Sequence, residues 1–424
     1  MTYREVLRLR SVAPLLGSAL LSRMAGEIFT LAIMLHVLDR FGSPAVVGWV
    51  VAAASVPGLV VSPIAGALLD RFGPARGIAA DLVTSVGFVA AIGLVDARGT
   101  GGIALLVGLA AGYSLTRPLS LAGFRTLVPR LVPEAGRDRA NAVDISSYNV
   151  AEVAGPALAG VLFALAGGRV TLLTVAALYA SSSLALLPVL FRPLPGTGGR
   201  GSLLRDAVGA VGYVVRHPVL RGLAVSYSLY QVAWGVLVVT IPVAVVTAAG
   251  GGVREDSALV GALWAVLGLA GGVGALVVGR LRAFGRERVF IGVGVLVTAV
   301  AVYPVIGHGG MVGLVVGLLV VGLVAGAVNV GVLTLRQRRT DPDWLGRVIA
   351  VSISMNLIGE PVGAALGGWL AGQALPLAFA AGGGAAALGA LACLLFLPRE
   401  GTRRRVSPSA AASARRSRSG SGRP

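Results

Sequence analysis

The sequence predicts an all-α membrane protein: twelve transmembrane helices arranged as two pseudo-symmetric six-helix bundles. Three observations carry this prediction. Of 424 residues, 56% are hydrophobic and only 13% charged, and the mean hydropathy is +0.85. Apolar stretches of about 20 residues recur from end to end, the length a helix needs to cross roughly 30 Å of hydrocarbon. The second half of the chain also weakly repeats the first.

The apolar stretches lie near 13–38, 44–69, 77–95, 102–124, 140–167, 170–191, 219–249, 257–279, 289–307, 311–334, 346–373 and 375–397. The opening "MTYREVLRLRSVAPLLGSALL" has the charged start of a signal peptide. Its apolar run continues beyond a signal's length without a small-residue cleavage site, so an uncleaved first span is expected.

Orientation follows from arginine, which supplies all 36 basic residues because the chain has no lysine. With both termini inside, the cytoplasmic segments collect 31 of them, the outer loops hold Arg40, Arg98, Arg169 and Arg254, and Arg23 falls within span one. The positive-inside rule therefore places both ends in the cytoplasm of a cell inner (plasma) membrane protein. The net charge of +18 then reports topology and contact with anionic lipid headgroups rather than nucleic-acid binding.

The repeat is sharpest where residues 139–162 align without gaps on 347–370, an offset of 208, with 11 of 24 positions identical. "GLAAG" at 108–112 is echoed by "GLVAG" at 322–326. A period of half the chain is expected of transporters built from repeats. The organisation read from it is an N-terminal bundle over 1–191, a cytoplasmic linker over 192–218, a C-terminal bundle over 219–397 and a disordered basic tail over 398–424. In the linker, Leu204, Val208, Val211 and Val215 share one helical face, which suggests a short helix on the inner membrane surface.

Enzyme readings fail early. Without lysine there is no Walker-A Lys and no Schiff-base Lys. His36, His217 and His308 fall in unrelated places, with His217 expected to be a solvated surface residue, and a lone Cys393 permits neither an internal disulfide nor a cysteine-built metal site. No metal or other cofactor is expected.

"GALLDRFGPARG", residues 66–77, stands at the inner end of span two. Here the chain resembles the major facilitator superfamily, whose signature between spans two and three is G-x-L-x-D-R-x-G-R-[RK]. Gly66, Leu68, Asp70, Arg71 and Gly73 match, while Pro74 and Ala75 replace two basic positions and Arg76 follows. A carboxylate at this boundary can face the positive N-terminal end of another helix. The resemblance implies that Asp70, with Gly66, Arg71, Gly73 and Arg76, forms a conformational latch against the start of span eleven.

A second motif, "GPALAG" from Gly155 to Gly160, resembles the fifth-span signature of exporters in that superfamily. Proline removes a backbone hydrogen bond and bends a helix, while small residues permit tight contact. A bend at Gly155, Pro156 and Gly160 is therefore expected. "SRMAGE", "GSPAVVG", "LVPRLVPEAGRDRANAV" and "RHPVLRGL" are similar to the drug, macrolide and siderophore exporter branch. One position departs from the drug–proton antiporters: where they often carry a span-four arginine, this chain has Gly108.

Glu152 lies one turn before the Gly-Pro pair, and Glu360 occupies the same place in the repeat. At 1.5 Å per residue they sit about 18 Å into span five and about 21 Å into span eleven. A charge at such depth is a functional-site hypothesis by default. Glu27, in span one, follows Arg23 by four residues, so the two share a face and can pair. Asp81, Arg117, Arg125 and Asp144 lie nearer the inner face, where a network with Asp70 is expected. Tyr148, Tyr227, Tyr230, Gln231, Trp234 and Asn356 offer aromatic and hydrogen-bonding surface suited to an amphipathic organic molecule. The expectation is a monomeric, proton-coupled exporter of a drug-like or secreted metabolite. The alternatives are an uptake carrier or facilitator, or a membrane protein without transport activity.

Overall fold

The computed structural model describes residues 1–95, 99–191, 203–280, 287–306, 308–341, 348, 351–352, 355–356 and 358–397, and no strand occurs among them. The helices are α1 (Tyr3–Arg8), α2 (Val12–Phe41), α3 (Pro44–Ala53), α4 (Val56–Phe72), α5 (Pro74–Leu94), α6 (Gly99–Leu131), α7 (Glu134–Leu190), α8 (Leu203–Arg216), α9 (Pro218–Ala249), α10 (Val253–Arg280), α11 (Glu287–Val300), α12 (Gly310–Arg339), α13 (Gly359–Ala371) and α14 (Leu375–Phe396). A π-helical turn, Ala301–Ile306, continues α11.

Nine segments among the described residues are long and apolar enough to cross a membrane, against twelve expected. The difference has local causes. Spans five and six run together as α7, whose backbone leaves helical geometry at Gly167 (φ 74°, ψ 171°). That left-handed φ suits glycine, and it lets the chain turn without a loop. Span nine divides between the 14 residues of α11 and the π-helical turn. Only the second part of span eleven, α13, is a continuous described helix, because most of 342–357 lies outside the described residues. Span two still counts among the nine, although its helix is interrupted between Ala53 and Val56, where Pro57 opens α4 and cannot donate a backbone hydrogen bond to the preceding turn.

Helix α2 packs on α7, and α5 on both α6 and α7. In the second half α9 packs on α13 and α14, and α10 on α12. Among the described residues the most extensive contacts between the halves are α7 with α10 and α3 with α13, and α2 also touches α9 and α10. Large apolar side chains such as Val60, Leu165, Leu276 and Val312 remain exposed on the outer surface, as expected where lipid replaces water. By contrast Arg23, Asp81, Asp144 and Arg336 are buried.

Helix α8 docks on α4 and α9 through Ala210 and Val214, and Val214 packs with Leu220, Ala224 and Val348. Val211 and Val215 face outward, so the second apolar stripe is free to meet lipid. The side chains of Leu204 and Val208 lie outside the described residues. His217 is more than a solvated side chain: its Nδ1 accepts from the Leu220 N–H at 3.4 Å and caps α9, while the ring stacks on Tyr213.

Candidate functional site

Three helices bring the predicted glutamates together. Glu27 (α2) lies within electrostatic reach of Glu152 (α7), Glu360 (α13) and Arg117 (α6). Gly155 makes the α2–α7 approach possible, since a methyl group there would run into the Cβ of Glu27. The repeat copy behaves alike: Gly359 and Gly363 press against the backbone of α9. Glu27 and Glu360 are half-buried and Glu152 is exposed. Tyr227, on α9, lies within reach of both Glu152 and Glu360.

The expected pairing of Arg23 with Glu27 does not form. Arg23 turns to α7 instead, where Nη2 donates to Asp144 Oδ1 at 2.7 Å and Nη1 to the Asp144 carbonyl at 2.8 Å. Nη1 also meets the Ser147 hydroxyl, and the guanidinium stands 3.6 Å over the Tyr148 ring. Residues 144, 147 and 148 share one face of α7, so they offer a buried guanidinium more acceptors than a single carboxylate four residues along its own helix. Tyr148 is thereby engaged as a lid on Arg23, with Arg125 also 5.7 Å from its ring.

Arg117 likewise belongs to the interior. It donates to the Tyr179 hydroxyl at 2.9 Å, Tyr179 meets the Tyr113 hydroxyl at 2.7 Å, and Asp81 and Glu27 lie within electrostatic reach. Asp81 is held by Ser120 and, at 3.4 Å, by Ser85. Of the charges expected near the inner face, Asp144 thus belongs to a buried group around Arg23, and Asp81 and Arg117 to another. The Asp70 side chain itself lies outside the described residues, as does much of its expected partner at the start of span eleven. Around it, Gly73 takes φ 88° and closes the tight turn from α4 into Pro74, while Arg71 and Arg76 are exposed and Gly66 is half-buried.

Pro156 sits within α7, but the break in helical dihedrals falls at Gly167 rather than at Pro156. The Gly-Pro motif is used here for close contact. A methyl group at Gly160 would meet Gly261 Cα at 2.9 Å and N at 3.0 Å on α10, and Ser257 Oγ donates to the Gly160 carbonyl at 3.1 Å. Gly368, 208 residues on, meets Gly48 Cα and N on α3 at the same 2.9 and 3.0 Å. Arg254 adds bonds to the carbonyls of Ala164 and Leu165. These paired glycine contacts join the halves at one end of the molecule.

Away from that end a cavity of about 150 Å³ is lined by Tyr227, Gln231, Asn329, Arg336 and Asn356, among others. Gln231 and Asn356 therefore line a cavity. Tyr230 does not: it is fully buried in the core with Leu223, Ile291 and Ala386, its ring packed on Tyr227 and Trp234. Trp234 is half-buried against both cores. Asn329 and Arg336 were missed because an isolated Asn reads as packing and "RQRR" reads as a loop. In fact α12 runs on to Arg339 and carries Arg336 inside.

A helical membrane protein with buried charge networks and a polar cavity between long apolar helices is built as a solute transporter. The Major Facilitator Superfamily model matches residues 15–359 and 223–420, and the chain belongs to that family. It is 45% identical over 398 residues to the uncharacterized MFS-type transporter y4rN of Sinorhizobium fredii, covering 94% of this chain and 97% of that protein. It is 29% identical over 384 residues to the multidrug efflux pump Tap of Mycolicibacterium fortuitum, covering 85% and 89%. A crystal structure of the nucleoside transporter NupG superposes with a TM-score of 0.73 at 13% identity, covering 92% of this chain and all of that one.

Proposed function

We propose that the protein is a secondary active exporter of an amphipathic small organic molecule, driven by the proton gradient. The observation that carries this reading is that Glu27, half-buried on α2, lies within electrostatic reach of Glu152 on α7 and of Glu360 on α13. Neighbouring carboxyls of like charge, two of them half-buried, suit reversible protonation. They are contributed by both sequence halves, so proton occupancy can report on how the halves sit together. We take those halves as two six-helix bundles, 1–191 and 219–397, rocking about the glycine contacts. The linker, α8 and both termini lie on the cytoplasmic side of the inner (plasma) membrane, where arginine meets anionic headgroups, and the protein works as a monomer without a cofactor. Similarity to an efflux pump supports the outward direction, as does the exporter-like Gly155–Gly160 motif. No catalysis is assigned.

The test is a comparison in reconstituted vesicles. Glu152→Gln and Glu360→Gln keep shape and most hydrogen bonding but remove titration. At least one should abolish gradient-driven accumulation while zero-gradient exchange continues, because a gradient acts only where proton and substrate binding are coupled. Glu152 is the stronger candidate, being one turn from Gly155 and Pro156. Full pH-driven activity in the double Gln variant would sink the role of both residues and move it to Glu27.

A further inference from the structure

We infer that the cavity between α9 and α12 is an anion subsite, and that the substrates it admits are amphipathic organic acids which dock a carboxylate on Arg336. The word substrate rests on the transport reading; the anion site does not.

Arg336 is 5% exposed and its Nη2 has no hydrogen-bond partner. Among the described residues no carboxylate lies within 4.0 Å of it: the two ion pairs described are Arg23 with Asp144 and Arg338 with Glu287. Glu287, which starts the neighbouring α11, is thus already engaged by Arg338. A buried guanidinium without a counter-charge is strongly unfavourable, and a protein without a use for it could place leucine there. Here it borders an open cavity instead.

The remaining polar lining has the same bias. The Asn356 oxygen takes the Ser228 hydroxyl at 3.5 Å, and the Asn329 oxygen takes the Tyr227 hydroxyl at 2.7 Å. The Asn356 amide nitrogen is buried and unpartnered. The orphaned polar atoms lining the cavity are therefore both donors, one of them charged. A two-oxygen anion satisfies such a pair, because guanidinium matches carboxylate geometry. A cation would face the like charge of Arg336. Val332 and Leu333 supply an apolar wall, and the Tyr227 ring a flat one, so the acid must carry a hydrophobic body.

The test uses the purified full-length protein in lipid nanodiscs, without a gradient, and the matched probes 1-naphthoate and 1-naphthamide. The wild type should bind the acid about tenfold or more tightly than the amide, the advantage of a charge-assisted bond over a neutral one. Arg336→Gln should erase that preference by weakening the acid alone, and Arg336→Lys should keep part of it. Equal binding of the two probes by the wild type, or binding of neither, overturns the proposal, and that comparison needs no variant to fold. An acid preference that survives Arg336→Gln overturns it as well. The readouts separate from the transport reading: acid-selective binding without pH-driven accumulation spares the site and removes the exporter. Accumulation of a neutral or cationic dye, unchanged by Arg336→Gln and with no acid preference, does the reverse.

Discussion

Replacing Gly160 by alanine perturbs the contact that joins the halves at one end. The new methyl would stand 2.9 Å from Gly261 Cα and 3.0 Å from its nitrogen, with the Ser257 carbonyl closer still. These are backbone atoms, with no flexible side chain to swing away. Carbon atoms normally rest about 3.5–4.0 Å apart, so α7 and α10 must separate by about 1 Å. That separation stretches the 3.1 Å bond from Ser257 Oγ to the Gly160 carbonyl beyond useful range. Overpacking of this kind costs about 1–3 kcal/mol, which is roughly a 5- to 150-fold shift away from the joined arrangement. The cost falls only on the conformation in which these helices touch, so the alternate conformation gains population. Hydrogen–deuterium exchange in nanodiscs measures this: residues 157–166 and 253–262 should exchange faster in Gly160→Ala, and residues around α8 more slowly. Gly368→Ala, which meets Gly48 in the same way, should add to the effect. A folded Gly160→Ala protein with wild-type exchange at both ends would refute the reasoning.

Asp144→Ala leaves Arg23 buried without its counter-charge and should destabilise the protein by about 3–5 kcal/mol, whereas Asp144→Asn, which keeps an acceptor for Arg23, should cost clearly less; equal losses in thermal melts would contradict the pairing. Burial first, and then the nearby Arg339, hold the His217 imidazole below its ordinary value of 6.5, so its neutral, capping form stabilises the fold above pH 6.5 and that contribution fades as pH falls through the lowered value. His217→Ala should accordingly cost about 1 kcal/mol at pH 8 and less at pH 5, and a pH-independent loss would exclude the cap. Asp70→Asn should slow counterflow in vesicles while leaving equilibrium binding of solute nearly intact; lost binding with normal counterflow would make Asp70 a ligand residue instead.

What could be read from the sequence was the part governed by composition and period. Lipid demands long apolar helices with internally satisfied backbones, so an all-helical membrane fold was legible before any side chain was placed. The 208-residue offset carried further information, because Gly160 and Gly368 make matching contacts on α10 and α3. Spacing along one helix was a poorer guide to charge pairing. Arg23 and Glu27 lie one turn apart, yet the long arginine side chain reaches the Asp144 carboxylate and carbonyl on α7. That choice depends on the register of two packed helices, which no window along one of them contains.

Arginine counting, used to orient the chain, treats every arginine near a helix end as a loop residue facing anionic lipid. Two of those assigned to the cytoplasmic side belong to the interior: Arg117 within its tyrosine network, and Arg336 beside the cavity. Removing both leaves 29 of the 31 arginines on the side proposed as cytoplasmic, most of them outside the apolar spans, where the positive-inside rule counts them. The same exception points to function. An arginine placed for topology is hydrated and exchangeable with its neighbours along the loop. One carried inward by an extra turn of helix loses that hydration, and its position is worth keeping only if something meets it there. Arg117 meets two tyrosines and two carboxylates, whereas Arg336 lacks a carboxylate partner among the described residues and borders a cavity lined by a second free donor. Two buried cations treated so differently by one fold imply different tasks: Arg117 neutralises charge the protein already holds, and Arg336 waits for charge that arrives with the solute.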